Sequence, residues 1–216
     1  TTCATSGEKR RSSKKEGISR RTMICRLTGL VGGIDEAGRG PLAGPVVSAC
    51  VVWERVPESK NGVTDSKLLT EKERVGLFSW IMDNALSVGI GMASREEIDA
   101  MNILRASLLS MERAVQATGM EPDVLLVDGN RGLKNCPTAR PVVRGDRKCF
   151  FMASASIVAK VVRDRAMDAY HRIYPNYNFK QNKGYPTREH KAAIREFGVT
   201  PIHRVTFKGV KEHCAG

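Results

Sequence analysis

Two carboxylates stand together at the end of an apolar run, immediately ahead of a glycine-rich turn: Gly33-Ile34-Asp35-Glu36-Ala37-Gly38-Arg39-Gly40-Pro41. Val31 to Asp35 reads as a strand entering a turn at Ala37 to Gly40, and Pro45 to Trp53, a β-branched apolar run, reads as the next strand. Charge at a strand end can be plain surface solvation, but once buried it is costly unless a cation compensates it. Adjacent strand residues face opposite ways, so both side chains reach one cation only through a local twist or the longer reach of Glu36. The glycines allow close backbone approach to a ligand. Carboxylates suited to a metal and amides suited to a phosphate thus lie side by side. A dinucleotide-binding turn is disfavoured, because Gly38, Gly40 and Gly44 would have to open a helix, whereas Val46 to Trp53 reads as strand.

Further along, Thr70 and Glu73 form a T-x-x-E capping box ahead of Val75, Phe78, Met82 and Ala85, which predicts a helix over 71–85. Val88 to Met92 reads as a short strand, weakened by Gly89 and Gly91. Ser94 and Glu97 make a second capping box, and Leu104, Leu108, Met111 and Val115 form a helical stripe, so two helices, or one broken near Met101 and Asn102, follow. Val124 to Asp128 is a short apolar run ending in a carboxylate, as in a buried strand whose last residue opens into a loop. Val142 to Arg144 is a candidate strand before Asp146, and Ala153 to Ile173 reads as one long helix whose early small residues permit close packing against a sheet. Thr187 caps a last helix through Phe197, stopped at Gly198. This order, with no internal repeat, predicts an α/β sandwich. Asp35, Glu36, Asp128 and Asp146 each lie at or beyond a strand-like run and can converge at one sheet edge. Hard oxygen donors without His or Cys indicate Mg2+ or Mn2+.

At 216 residues, one catalytic domain plus appendages is the default. No apolar run approaches the ~20 residues that cross a bilayer, so no membrane partner is expected. A formal charge of +12 favours a polyanionic partner, with a basic but ordinary surface as the plainer reading. The charge divides unevenly: residues 1–27 carry eight Lys or Arg against Glu8 and Glu16, so +6 falls there and +6 on the rest. Rich in Ser, Thr, Lys and Arg and without an apolar period, 1–27 reads as a flexible basic extension. A transit peptide, a nuclear signal, a nucleic-acid tether and a linker all remain open for it. Cys3, Cys25, Cys50, Cys136, Cys149 and Cys214 form no C-x-x-C pair and no zinc-finger spacing, which favours a reduced intracellular compartment, whether cytoplasm, nucleus or mitochondrion. His171, His190, His203 and His213 have no metal-site spacing, and a monomer is the default.

Six motifs in order, D-E-A-G-R-G-P at 35–41, D-S-K at 65–67, V-D-G at 127–129, G-D at 145–146, A-S-I-V-A-K at 155–160 and K-G-Y-P-T at 183–187, resemble type 2 ribonuclease H, the ribonuclease HII family, in its single-chain bacterial form. The resemblance spans roughly Val31 to Phe207. It implies a ribonuclease H-like fold over 28–216, with a central mixed sheet flanked by helices and a helical C-terminal portion that helps hold the hybrid. It also implies a four-carboxylate set, Asp35, Glu36, Asp128 and Asp146, holding two divalent ions for in-line hydrolysis that leaves 3′-hydroxyl and 5′-phosphate ends. Gly38, Arg39 and Gly40 are then expected to read the 2′-hydroxyl at an RNA-to-DNA junction, with Tyr185 stacking on the DNA-side sugar. The implied activity is cleavage of RNA/DNA hybrids and incision 5′ of single ribonucleotides in duplex DNA, a repair role.

On the residues alone, Tyr185 also suits a half-buried loop aromatic, and Lys67 either a phosphate contact or a solvated charge beside a capped loop. Lys160 and Asp164 form an i, i+4 pair that can serve helix stability alone, and the P-I-H-R run containing His203 reads as packing of the C-terminal region. Cys149 stands where a serine is common, and Ser154 interrupts a run of alanines; neither removes a metal ligand. Two competing readings are a non-catalytic hybrid-binding scaffold, whose mark would be a lost acidic ligand, and another ribonuclease H-superfamily nuclease without junction specificity.

Overall fold

The computed structural model describes residues 29–59, 61–145 and 149–214, so the extension 1–27 and Asp146 lie outside the described residues. Five strands form one mixed sheet: β1 (Val31–Ala37), β2 (Val46–Trp53), β3 (Ser87–Ala93), β4 (Val124–Asp128) and β5 (Ala139–Val142), in the order β3-β2-β1-β4-β5. β1–β2 and β2–β3 are antiparallel, and β1–β4 and β4–β5 parallel. Every residue of β2 is buried, which its run of apolar residues, interrupted only by Ser48, anticipates, so both faces of the sheet must be covered. Val31, Ala49, Val51 and Trp53 pack on one face with the helices α1 (Glu71–Asn84) and, further along the chain, Phe150–Ile173. Ile34, Cys50, Val52, Leu125 and Val127 pack on the other with Met111 and Ala114.

Capping chemistry sets the helix starts. Both sequence-predicted capping boxes form, Thr70 with Glu73 before α1 and Ser94 with Glu97 before α2 (Arg95–Met101). The open choice after Ser94 resolves into two helices, because Asn102 adopts a left-handed φ of 72° and its side chain accepts from Leu104 and Arg105 amides to start α3 (Ile103–Ala117). Gly89 and Gly91 do not prevent β3: a Cβ on either would lie 2.1 Å from the carbonyl of Ala114 or Ser110. These glycines let α3 seat directly on the strand. Gly33 does the same for the long helix α4 (Phe150–Ile173), since a Cβ there would lie 2.1 Å from the Phe151 carbonyl.

Two sequence expectations shift. The fifth strand is Ala139–Val142 rather than 142–144, because its ladder partner β4 ends at Asp128, paired with Val142; Val143 and Arg144 then turn, Arg144 with φ 56°. As an edge strand with Pro141 it carries little apolar alternation to read. The long helix begins at Phe150 rather than Ala153, its first turn buried among Trp53 and Trp80. Beyond it, α5 (Phe179–Asn182) and α6 (Arg188–Phe197), capped by Thr187 as expected, gather with Leu42, Met167, Ile202 and Val210 into a separate apolar cluster. This C-terminal cluster packs directly against the turn that follows β1. Among the described residues no helix is long and apolar enough to cross a membrane.

Candidate active site

β1 and β4 are parallel neighbours, so their C-terminal ends lie together, with Ile34 opposite Val127 and the next residues being Asp35 and Asp128. Asp35 is 6 % exposed. Its Oδ1 accepts the Glu36 amide at 2.7 Å, and Ser156 on α4 lines the same cleft. Ser156 Oγ lies 2.9 Å from Ser66 Oγ, which links the long helix to the Asp65-Ser66-Lys67 segment. Asp128 Oδ1 accepts the Gly145 amide at 2.7 Å, tying β4 to the residue before Asp146.

The electrostatics are those of an acidic group held in place against its own repulsion. Burial first, then the charges of Glu36 and Asp128, push the Asp35 carboxyl well above the ordinary carboxylate range. Burial also raises Glu36, against the opposing pull of Arg39, whose Nη1 lies 3.1 Å from Glu36 Oε1. Glu36 Oε2 is buried without a hydrogen-bond partner. An orphaned carboxylate oxygen in the same cleft as Asp35 and Asp128 fits a hard divalent cation, whose charge would offset the desolvation of Asp35 and Glu36. Among the described residues no three acidic, imidazole or thiol side chains form a ready cage by themselves.

Asp35, Glu36, Gly38, Arg39, Gly40, Lys67, Asp128 and Tyr185 all line one cleft of about 270 Å³. Glu36 reaches it although it follows Asp35 directly, and its bond to Arg39 bends it toward the turn. Gly38 has φ +100°, and a Cβ there would meet Arg163 Nε at 2.0 Å, so glycine is required on both counts. Tyr185 is 44 % exposed, its ring edge 3.5 Å from where a Gly40 Cβ would stand. The tyrosine from the C-terminal portion and the turn after β1 therefore form one rim. Asp146, the remaining sequence-predicted residue, lies outside the described residues.

Ser66, Ser156, Lys160 and Arg163 also line the cleft. Lys160 does pair with Asp164, at 2.6 Å, yet sits at the site as well, and burial lowers its ammonium pKa. Sequence reasoning missed Arg163 as a lining residue because a guanidinium on a helix reads as a solvated charge, whereas this one is buried. Its Nε, Nη1 and Nη2 donate to the carbonyls of Pro45, Lys183 and Ala43. Nor are His190 and His203 isolated, since their Nε2 atoms lie 3.0 Å apart.

The fold and the acidic cleft define a ribonuclease H-like hydrolase. Among solved structures the chain is similar to ribonuclease H2 from Pyrococcus horikoshii OT3, at 28% identity and a TM-score of 0.71, covering 85% of this chain and 96% of that one. It shares its fold with Bst-RNase HIII, solved in complex with Mn2+, at 17% identity and a TM-score of 0.72 over 94% of this chain and 75% of that one. The chain belongs to the ribonuclease HII family: the family model described as Ribonuclease HII matches residues 32–210, and the Ribonuclease HII of Marinomonas sp. (strain MWYL1) is 50% identical over 188 residues, 87% of this chain and 94% of that protein. It is accordingly a divalent-metal-dependent hydrolase with ribonuclease H activity on RNA/DNA hybrids.

Proposed function

We propose that this protein incises duplex DNA on the 5′ side of a single embedded ribonucleotide, besides cleaving longer hybrids, and that Asp35, Glu36, Asp128 and Asp146 would hold two Mg2+ or Mn2+ ions. The observation that carries the reading is the shared cleft, in which the described carboxylates, the G-R-G turn and Tyr185 meet. When bound, the ions supply Lewis acidity toward the scissile phosphate and its attacking water. Water attacks phosphorus, the P–O3′ bond breaks, and 3′-hydroxyl and 5′-phosphate ends result.

The protein's own groups supply the rest. The Glu36 amide orients Asp35, and the Gly145 amide orients Asp128, so neither carboxylate has to reorganise on binding. Backbone amides of Gly38, Arg39 and Gly40 read the 2′-hydroxyl, the group that distinguishes RNA from DNA. Tyr185 stacks on the sugar of the DNA-side nucleotide, and Lys67, with Lys160 nearby, faces phosphate oxygens. Residues 28–216 would form the catalytic domain, acting as a monomer, with the basic extension 1–27 as a non-specific tether. Removal of misincorporated ribonucleotides would be the biological role.

Cleavage of a labelled duplex carrying one ribonucleotide, beside all-DNA and four-ribonucleotide duplexes, with Mg2+, Mn2+ or chelator, tests the reading. Metal-dependent incision 5′ of the lone ribonucleotide is expected. Cutting of the longer run alone would point to a nuclease without junction specificity, and binding without any cutting to a scaffold.

A further inference from the structure

Two adjacent buried residues grip both halves of the cleft rim from inside the protein. Arg204 is 0 % exposed. Its Nη2 donates to the Gly38 carbonyl at 2.6 Å, its Nη1 to the Arg39 carbonyl at 3.0 Å, and its Nε and Nη2 to the Gly44 carbonyl at 3.0 and 2.9 Å. Among the described residues there are no cis peptides, and in a planar trans peptide the carbonyl and the following N–H point opposite ways. Drawing the Gly38 and Arg39 carbonyls inward therefore turns the N–H groups of Arg39 and Gly40 away from Arg204, toward the cleft.

His203 holds the other half. The Thr200 amide donates to its Nδ1 at 2.9 Å, which leaves the neutral ring's proton on Nε2. That Nε2 lies 3.0 Å from His190 Nε2, which must accept, leaving the His190 proton on Nδ1, 2.9 Å from the Tyr185 carbonyl. The chain of bonds runs one way, from Thr200 through both rings to the backbone of Tyr185. The same segment is stitched to the turn through the Arg204 amide on the Leu42 carbonyl and the Leu42 amide on the Gly184 carbonyl, both at 2.8 Å. Packing alone would be served better by apolar side chains than by a buried guanidinium.

We propose that His203 and Arg204 are positioning residues that set, from one dipeptide, the orientation of the G-R-G amides and of Tyr185, and thereby the preference for a 2′-hydroxyl at the cut. This rests on the junction-reading assignment above. The test compares the wild type with Arg204→Lys, His203→Leu and His203→Gln, titrated with two duplexes identical except for one ribonucleotide, with Ca2+ replacing the activating ion. The readout is the ratio of the two Kd values, which an unfolded fraction does not change because it scales both affinities alike. In Arg204→Lys and His203→Leu the preference falls roughly tenfold, the worth of about one well-made hydrogen bond, while all-DNA affinity stays within about twofold. His203→Gln, which can still accept from Thr200 and donate onward, keeps most of the preference. A wild-type ratio in Arg204→Lys and His203→Leu overturns the proposal, and if Arg204→Lys does not fold, the contrast between His203→Leu and His203→Gln decides it. If the wild type itself shows no preference, the junction reading has failed and the proposal falls with it.

Discussion

Asp35 sits where burial and two neighbouring carboxylates favour its neutral form, and that tension is the residue-scale mark of a site built for cations. A carboxyl whose folded pKa lies above its unfolded value contributes stability that is full below the unfolded value and lost as pH rises through the folded one. At pH 7 in chelator, Asp35→Asn is therefore expected to melt higher than the wild type, by at least ~2 °C, since Asn Oδ1 can still accept the Glu36 amide. Added Mn2+ should reverse the order, and paired melting curves check both halves. Asp128→Asn keeps the acceptor for the Gly145 amide but removes a charge. It should lower kcat by about a hundredfold or more while duplex affinity, measured in chelator, changes little. Equal loss of both would count against the ligand role.

At the scale of elements, local preference and tertiary packing disagree in instructive places. Gly89 and Gly91 argue against a strand by propensity, yet β3 forms because only glycine admits the backbone of α3 so close. Gly91→Ala would place a methyl 2.1 Å from the Ser110 carbonyl. Its urea midpoint should fall by the equivalent of about 1–3 kcal/mol with an unchanged m value, and specific activity at low temperature should persist because the cleft is elsewhere. The capping boxes at Thr70 and Ser94 were legible because their hydrogen bonds are local. The start of α4 was not, because Phe150, Phe151 and Met152 owe their place to burial against Gly33 and Trp53, far away in the chain.

For the whole molecule, the C-terminal portion matters because it returns to the turn after β1. Its two buried imidazoles are pushed down by burial, His203 to about 4 with the proximity of His190 adding. A histidine whose folded pKa lies below its unfolded 6.5 is protonated first in the unfolded chain, so its stability contribution is full above that value and lost as pH falls toward 4. The wild type should lose on the order of 3 kcal/mol relative to His203→Gln across that window, read from melting curves at stepped pH. Half of the +12 charge lies in residues 1–27. Their deletion should weaken duplex binding mainly at low salt and shallow the salt slope, and an unchanged slope would reject a tether role.

The order of the strands and longer helices, their caps, the acidic strand ends and the Gly-Arg-Gly turn could be read from the chain alone, because each depends on local periodicity, local hydrogen bonds or a run of specific residue types. Tertiary structure alone decided that Arg163 and Arg204 are buried clamps rather than solvated charges, and that His190 and His203 form one directed chain to Tyr185. Residues 38 and 204, or 163 and 45, are joined by hydrogen bonds between a side chain and a distant backbone carbonyl. Every residue offers such a carbonyl whatever its side chain, so no residue type marks the partner, and only the folded path of the chain brings the two together.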